Sequence, residues 1–260
     1  MGLSLTILGS GSSGNALLLH TETFGVLIDA GLSRKQILSR LESLNINPQI
    51  VKAIILTHDH SDHIRGARLL SQDLNIPTYL TSTIFTRLQE EHKLGRELLL
   101  FDPGTIFEIG PFQFTPFEIP HDSLEPVGFV IHCGDIKIGL ATDLGSISEK
   151  VKANLKGCDS IILESDYDKQ MLLAANRPLH LKRKTMGRFG HLDNQQVIDS
   201  LQHIITEHTS HIFLLHLSPK CNKEEIVYKL ALEKLQELHQ TNLSLHVIST
   251  SHCPYPTVAI

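Results

Sequence analysis

Thr57-His58-Asp59-His60-Ser61-Asp62-His63 sets five metal-competent side chains into six consecutive positions, directly behind the apolar run Ala53-Ile54-Ile55-Leu56. Imidazole nitrogen and carboxylate oxygen without thiolate suit Zn, Mn or Fe(II), and the ligand types do not choose among them. In an extended segment residues two apart project to the same side, so His58 and His60 point together. A helix starting near Asp62 turns Asp62 and His63 back toward the same point. One strand-to-helix junction then presents two clusters of ligands, enough for two ions side by side. A water shared by two such cations loses a proton near neutral pH, and the same cations bind and neutralise oxygens of the group under attack. Helix capping accounts for one Asp or Ser in this stretch, but not for three histidines. Asp59 should face away from the ligand side, where it either supports a ligand histidine or lies at a solvated strand end.

The elements that must carry this junction follow from the apolar pattern. Short β-rich runs at 3–8, 15–20 and 25–29, the last two joined by a turn at Thr21-Glu22-Thr23-Phe24, precede a helix over 33–44 with a Ser N-cap and a strand over 51–56. Downstream the pattern predicts helices near 63–73, 83–93, 147–154, 194–207 and 223–238. It predicts strands near 106–108, 112–118, 127–133, 136–141, 159–163, 211–215 and 244–249, with a long polar segment over 165–190. No repeat, low-complexity tract or linker divides the chain. Two groups of strands with helices interspersed predict an α/β fold with two sheets face to face and helices outside, a four-layer αββα sandwich.

Gly9-Ser10-Gly11-Ser12-Ser13-Gly14 spells G-x-G-x-x-G behind the first strand. A dinucleotide site needs a helix after that loop, to receive the pyrophosphate at its N-terminus. The following Asn15-Ala16-Leu17-Leu18-Leu19 is a strand, and the Rossmann reading fails. Composition narrows the rest. The 260 residues are 41% hydrophobic and carry a net charge of −5, so any surface for a polyanion must be regional. The four cysteines are scattered without C-x-x-C spacing and read as reduced thiols of a cytoplasmic protein. No apolar stretch approaches the ~18 residues of a membrane span, so no membrane partner is expected.

The spacing H-x-H-x-D-H resembles the signature of the metallo-β-lactamase superfamily of binuclear hydrolases. The resemblance implies that fold over 1–260 as a single domain. It implies two divalent ions held by His58, His60 and His121 on one side and by Asp62, His63 and His216 on the other, with Asp143 bridging. His121 stands in Pro120-His121-Asp122, Asp143 in Ala141-Thr142-Asp143-Leu144-Gly145 and His216 in Leu215-His216-Leu217-Ser218, each after an apolar strand.

Gly190-His191-Leu192-Asp193-Asn194 resembles an element of the phosphodiesterase branches, including RNase Z, in which the histidine protonates the leaving oxygen. Ile162-Leu163-Glu164-Ser165 resembles the accompanying carboxylate element. His191, Glu164 and Asp62 are thus the expected catalytic residues. An N-cap for a helix at 194 explains Asp193 equally well, but leaves His191 unexplained. Between 169 and 192 there is no acidic residue, while Lys169, Arg177, Lys182, Arg183, Lys184 and Arg188 all occur. Such a stretch either holds a phosphate backbone or is a solvated loop.

Over nearly the whole chain the motifs look like the bacterial YycJ (WalJ)-type metallohydrolases, which implies a DNA 5′→3′ exonuclease-like phosphodiesterase of DNA repair. Asp193 and Asp166 depart from that branch and add negative charge near the expected phosphate. Substrate contacts are expected at Lys182, Arg183, Lys184, Arg188, Ser12 and Asn15, although the Gly-rich loop reads equally as a tight turn. The interval from Asp143 to His191 is too short for an inserted β-CASP domain. The alternatives are an acyl hydrolase of glyoxalase II type, which needs no His191, and a phosphodiesterase of small cyclic substrates.

Overall fold

Seven strands form the first sheet, in the order β14-β1-β2-β3-β4-β5-β6. The computed structural model describes residues 2–90, 95 and 97–260. Within them lie β1 (Ser4–Gly9), β2 (Ala16–His20), β3 (Gly25–Ile28), α1 (Arg34–Ser43), β4 (Val51–Ile55), α2 (Ser61–Ile64), α3 (Ala67–Leu74), β5 (Thr78–Leu80), α4 (Ser82–Glu90) and β6 (Leu98–Leu100). There follow β7 (Phe107–Ile109), β8 (Phe112–Glu118), β9 (Val127–Cys133), β10 (Ile136–Ala141), α5 (Glu149–Leu155), β11 (Ser160–Glu164), α6 (Lys169–Ala174), α7 (Leu179–Thr185), α8 (Asn194–Ile204), β12 (His211–Leu215), α9 (Glu224–Glu237), β13 (Ser244–Val247) and β14 (Val258–Ala259). The second sheet has the order β13-β12-β11-β10-β9-β8-β7. By internal packing the chain divides into one unit of residues 1–116, 123–127 and 252–260 and another of 117–122 and 128–251.

In the first unit β1, β2 and β3 are antiparallel, whereas β3, β4, β5 and β6 run parallel. Parallel neighbours need crossovers, and α1, α3 and α4 supply residues to the buried cluster that includes Ile37, Leu41, Leu70, Ile84 and Leu88 against Leu18, Leu27 and Ile54. Burying a side chain of this size stabilises by about 1.5–3 kcal/mol. Helix α1 starts where expected, on a capping box in which Ser33 accepts from the Gln36 amide. Every residue of β2 is buried, and β2 follows the Gly-rich loop, where a dinucleotide fold would place a helix.

In the second unit β10, β11, β12 and β13 run parallel. Helices α5, α8 and α9 contribute Val151, Leu155, Val197, Leu201, Val227 and Ala231 to a core that also holds Ile161, Leu163, Ile212 and Leu214. Asp193 N-caps α8 with a full capping box, as the local pattern allowed.

Three expectations are corrected. The helix expected over 63–73 is two helices, α2 and α3, broken at Gly66. Its amide donates to the Ala30 carbonyl at 2.7 Å, and a Cβ there would lie 2.1 Å from the Leu32 carbonyl oxygen. The polar segment 165–190 contains α6 and α7; α6 buries only Leu172 and α7 buries nothing, so neither shows an apolar period. The short strands β5, β6 and β14 were not expected. Of the helix expected over 83–93, positions 91–93 lie outside the described residues. Among the described residues no helix is long and apolar enough to cross a membrane.

Candidate active site

The first unit builds a cluster of polar side chains at the ends of β3 and β4. Parallel pairing sets Ile28 opposite Ile55, so the residues that follow, Asp29 and Thr57, meet beyond the carboxyl edge of the sheet. Asp29 Oδ1 accepts from the Thr57 amide at 2.9 Å, and Oδ2 accepts from the Thr57 hydroxyl at 2.8 Å and from His63 Nδ1 at 2.7 Å. The Thr57 hydroxyl proton is committed to Asp29, so its oxygen receives His58 Nδ1–H at 2.9 Å. Both rings therefore carry their proton on Nδ1 and their lone pair on Nε2, the arrangement that a carboxylate or hydroxyl behind a metal-binding histidine enforces. His58 and His63 are fully buried, with ring centroids 3.9 Å apart, and half-buried His60 stands edge-on to His58 at 4.8 Å.

Helix α2, which carries Asp62 and His63, is clamped by the neighbouring loops. The Asn15 amide donates to the Asp62 carbonyl at 2.8 Å, and the Ala30 amide to the His63 carbonyl at 2.7 Å. A Cβ on Gly31 would fall 1.5 Å from that Asp62 oxygen, so only glycine allows the approach. The Gly-rich loop of the sequence is thus part of the site's frame. Asn15 holds it closed by accepting from the Gly11 amide at 2.8 Å, while its own amide lies 2.9 Å from His63 Nε2 and 3.4 Å from Asp62 Oδ2. Ser12 is exposed. Asp59 is buried and bonds to the Arg87 guanidinium and the Leu124 amide, not to a ligand histidine; the histidine-supporting carboxylate is Asp29.

The second unit assembles its residues at the carboxyl ends of three adjacent parallel strands. Ala141 pairs with Leu163 and Glu164 with Leu215, which brings Asp143, Glu164 and His216 to one edge. Asp143, Glu164, His191 and His216 each offer a ligand atom, all within 4.8 Å of one another. His216 Nε2 lies 3.3 Å from Asp143 Oδ1, and its Nδ1 faces Asp166 Oδ1 at 3.5 Å. His191 stacks on His216 with centroids 5.2 Å apart and lies edge-on to His121 at the same distance. His121 Nδ1 donates to the Gly190 carbonyl at 3.1 Å, which leaves the Nε2 lone pair for a ligand.

His191 Nδ1 lies 3.0 Å from Glu164 Oε2, and the other oxygen of Glu164 accepts from the Leu192 amide at 2.7 Å. Burial alone would lower the pKa of His191, but the charge and hydrogen bond of Glu164 outweigh it and raise it to about 9. Burial pushes the Glu164 carboxyl up, against the opposing pull of His191. The pair holds its proton on the imidazole, as a group that donates to a leaving oxygen must. A buried amide network fixes the frame: Asn222 donates to the Ser165 and Asp166 carbonyls and to Asn194 Oδ1, which also accepts from Ser165 Oγ.

The departures expected at Asp193 and Asp166 find local tasks, Asp193 as helix cap and Asp166 behind His216. The basic residues expected to contact substrate lie on and after α7, whereas Lys169 opens α6 and Arg177 lies between the two helices. Lys184 is bonded to Asp122 at 2.6 Å, Arg183 and Arg188 are exposed, and Lys182 is half-buried.

Imidazole and carboxylate donors crowded in this way fit divalent metal. Within each cluster the hydrogen bonds described above turn Nε2 of His58, His63 and His121 outward from their supports.

Residues 25–216 match the β-lactamase superfamily domain, more than half of the chain. The chain belongs to the metallo-β-lactamase superfamily. Within it, the exodeoxyribonuclease YycJ of Bacillus anthracis is 32% identical over 241 residues, which cover 91% of this chain and 90% of that protein. The exodeoxyribonuclease WalJ of Streptococcus pneumoniae is 29% identical over 251 residues, 95% of this chain and 92% of that one. The crystal structure of the metallo-β-lactamase fold protein YhfI from Bacillus subtilis superposes over 100% of both chains with a TM-score of 0.76 at 16% identity. The expected fold class and the YycJ/WalJ-type branch are therefore those found, and the chain is a metal-dependent hydrolase of the phosphodiesterase or nuclease class. Asp29, Thr57 and Asn222 are site residues that the sequence reading missed. For Asp29 a signal existed: a carboxylate closing the buried strand β3 beside β4.

Proposed function

We propose that this chain is a binuclear metal-dependent phosphodiesterase that degrades DNA from an end, 5′→3′, in DNA repair. The observation that carries the reading is the His191–Glu164 bond of 3.0 Å beside Asp143 and His216. Hydrolysis of a phosphodiester needs a proton for an alkoxide leaving group, and acyl transfer to a good leaving group does not. The names of the YycJ and WalJ relatives support DNA as the polymer.

In this reading His58, His60, Asp62, His63, His121, Asp143 and His216 would hold the two ions. When bound, the pair supplies a water acidified toward neutral pH and positive charge for the phosphate oxygens. Asp29 and Thr57 keep His63 and His58 in the ligating tautomer. Glu164 orients His191 and holds its proton until the leaving oxygen takes it. Lys182, Arg183 and Arg188 receive the phosphate backbone, and Ser12 stands at the rim of the Gly-rich loop. The catalytic domain is the whole of 1–260, without an inserted β-CASP domain, working in the cytoplasm.

The test is digestion of end-labelled single- and double-stranded DNA and RNA, carrying 5′-phosphate or 5′-hydroxyl ends, by metal-stripped protein and by protein restored with Zn, Mn or Fe(II). The reading expects stepwise shortening of DNA from the 5′ end only after restoration. Turnover of thioesters or lactones with intact DNA would replace it with the acyl hydrolase, and turnover of cyclic dinucleotides alone with a small-molecule phosphodiesterase.

A further inference from the structure

Segment 169–192 combines cations without acids and an unusual share of apolar surface. Leu173, Leu179, Leu181 and Phe189 are 52, 60, 44 and 53% exposed. Phe189 is distinct: among the described residues every other phenylalanine is buried or half-buried. The Arg188 guanidinium carbon lies over its ring, 5.7 Å from the centroid. An exposed aromatic ring forgoes the stabilisation of a core position, so its surroundings decide whether it is incidental.

Those surroundings hold it rigidly. The Gly187 amide donates to the Lys184 carbonyl at 3.1 Å, the Gly190 amide to the Gly187 carbonyl at 2.8 Å and the His191 amide to the Thr185 carbonyl at 2.9 Å. A Cβ on Gly190 would come within 2.2 Å of the Thr185 oxygen, and one on Gly145 within 2.5 Å of the Arg188 oxygen. The turn is therefore pressed, backbone to backbone, against itself and against the loop that carries Asp143. It fixes Phe189 two residues from His191, at most about 7 Å along the chain, which is within one nucleotide of an extended strand.

We propose that Phe189 and Arg188 form a stacking platform for the nucleobase next to the scissile phosphate, so that the substrate is an unpaired nucleic-acid end. The proposal rests on the phosphodiesterase reading above. A flat ring with a guanidinium over one face grips any base through its other π face, independent of sequence. A base inside a duplex has no free face to offer. Cations without acids in a net-acidic protein favour a polyanion over an apolar protein surface.

Two measurements test it, on the metal-loaded protein. The first compares kcat/KM for single-stranded oligonucleotides whose terminal two nucleotides are natural or abasic. The wild type should prefer the natural end on the order of ten-fold, mostly in KM. Phe189→Trp should keep the preference, and Phe189→Leu should reduce it to near one, with an unchanged unfolding temperature because the ring is exposed. The second follows 2-aminopurine fluorescence in an oligonucleotide ending in that base; binding should quench it, and Phe189→Leu should abolish the quench. Equal kinetics on both ends, or a quench that survives Phe189→Leu, overturns the platform. Binding of phosphatidylserine vesicles that Phe189→Leu abolishes, without any quench, overturns it in favour of a membrane surface. If no oligonucleotide is cleaved but the Phe189-dependent quench is present, the platform stands and the phosphodiesterase reading falls.

Discussion

Asp29→Asn separates the support of the histidines proposed to bind metal from the histidines themselves. Asp29 is 1% exposed and accepts three hydrogen bonds, two from Thr57 and one from His63 Nδ1. Its backbone sits at φ 61°, a conformation that Asn tolerates as well as Asp, so the substitution leaves the chain path intact. Asparagine keeps one acceptor oxygen and replaces the other with an amide donor. If its oxygen stays on the Thr57 amide, its NH2 faces His63 Nδ1–H, and two donors meet. His63 then either loses the bond or takes the other tautomer, which puts a proton on the nitrogen that should bind metal.

A hydrogen bond to a charged group contributes about 1.5–3 kcal/mol, and each 1.36 kcal/mol is roughly ten-fold in affinity. For the two-ion centre proposed above, the expected loss is therefore about 10- to 100-fold in the affinity of one metal equivalent, the range seen when partners behind metal ligands are removed. The other equivalent should change less, because His58 reaches Asp29 only through the Thr57 hydroxyl. Competition between the protein and a chromophoric chelator at neutral pH resolves the two equivalents, and far-UV circular dichroism checks the fold. Two equivalents bound within two-fold of wild type would show that Asp29 does not set the tautomer of His63, and the reasoning would be wrong.

Four further outcomes follow from the structure. His191→Ala should lower kcat on a phosphodiester by about 100-fold or more; Glu164→Gln should also move the alkaline limb of the pH profile to lower pH, because loss of that carboxylate lets His191 give up its proton earlier. Assays over pH 6–10 with a 5′-phosphorylated oligodeoxynucleotide, whose leaving group is an alkoxide, read both, and an unmoved limb would contradict the pairing. Gly145→Ala would set a Cβ 2.4 Å from the Gly190 amide nitrogen, so the variant should lose activity and unfold at lower temperature; wild-type values for both would deny the close approach. His211 and His246, with Nδ1 and Nε2 3.3 Å apart, both have pKa values lowered by burial. Below the ordinary value near 6.5 the unfolded chain therefore binds more protons than the folded one, and stability falls as pH drops. His246→Phe, which can retain the stack on Phe213, should flatten that decline in unfolding temperature between pH 7 and 5, and an unchanged slope would exclude the pair as its source.

What was legible in the sequence was what local order makes visible. His58 to His63 announce themselves because the metal-competent side chains are nearly consecutive, and the ends of β10 and β12 because apolar runs stop at Asp143 and His216. The support of these residues is nonlocal. Asp29 meets His63 across a gap in sequence that closes through the pairing of Ile28 with Ile55, and Asn222 meets Asn194 across 28 positions. Helices α6 and α7 escaped for a different reason. Periodicity reports burial, and helices that bury Leu172 alone or nothing leave no period to read. The stretch most exposed to a substrate is the one that pattern reading sees least.

Backbone conformation points to the same residues from another direction. Among the described residues seven other than glycine have positive φ. Asn45, Asn75 and His239 lie at the ends of α1, α3 and α9, where a left-handed residue is an ordinary way to stop a helix. Asp29, Asp143 and His216 instead follow strands β3, β10 and β12, at φ 61°, 56° and 60°. Each such residue costs of order 1–3 kcal/mol, which persists only where the surroundings fix it. The turn lifts the side chain off the end of its strand, toward the cluster it serves. Glycine at any of the three would relax the backbone and remove a proposed ligand or its support, so local preference and fold disagree at the positions where the proposed chemistry is placed.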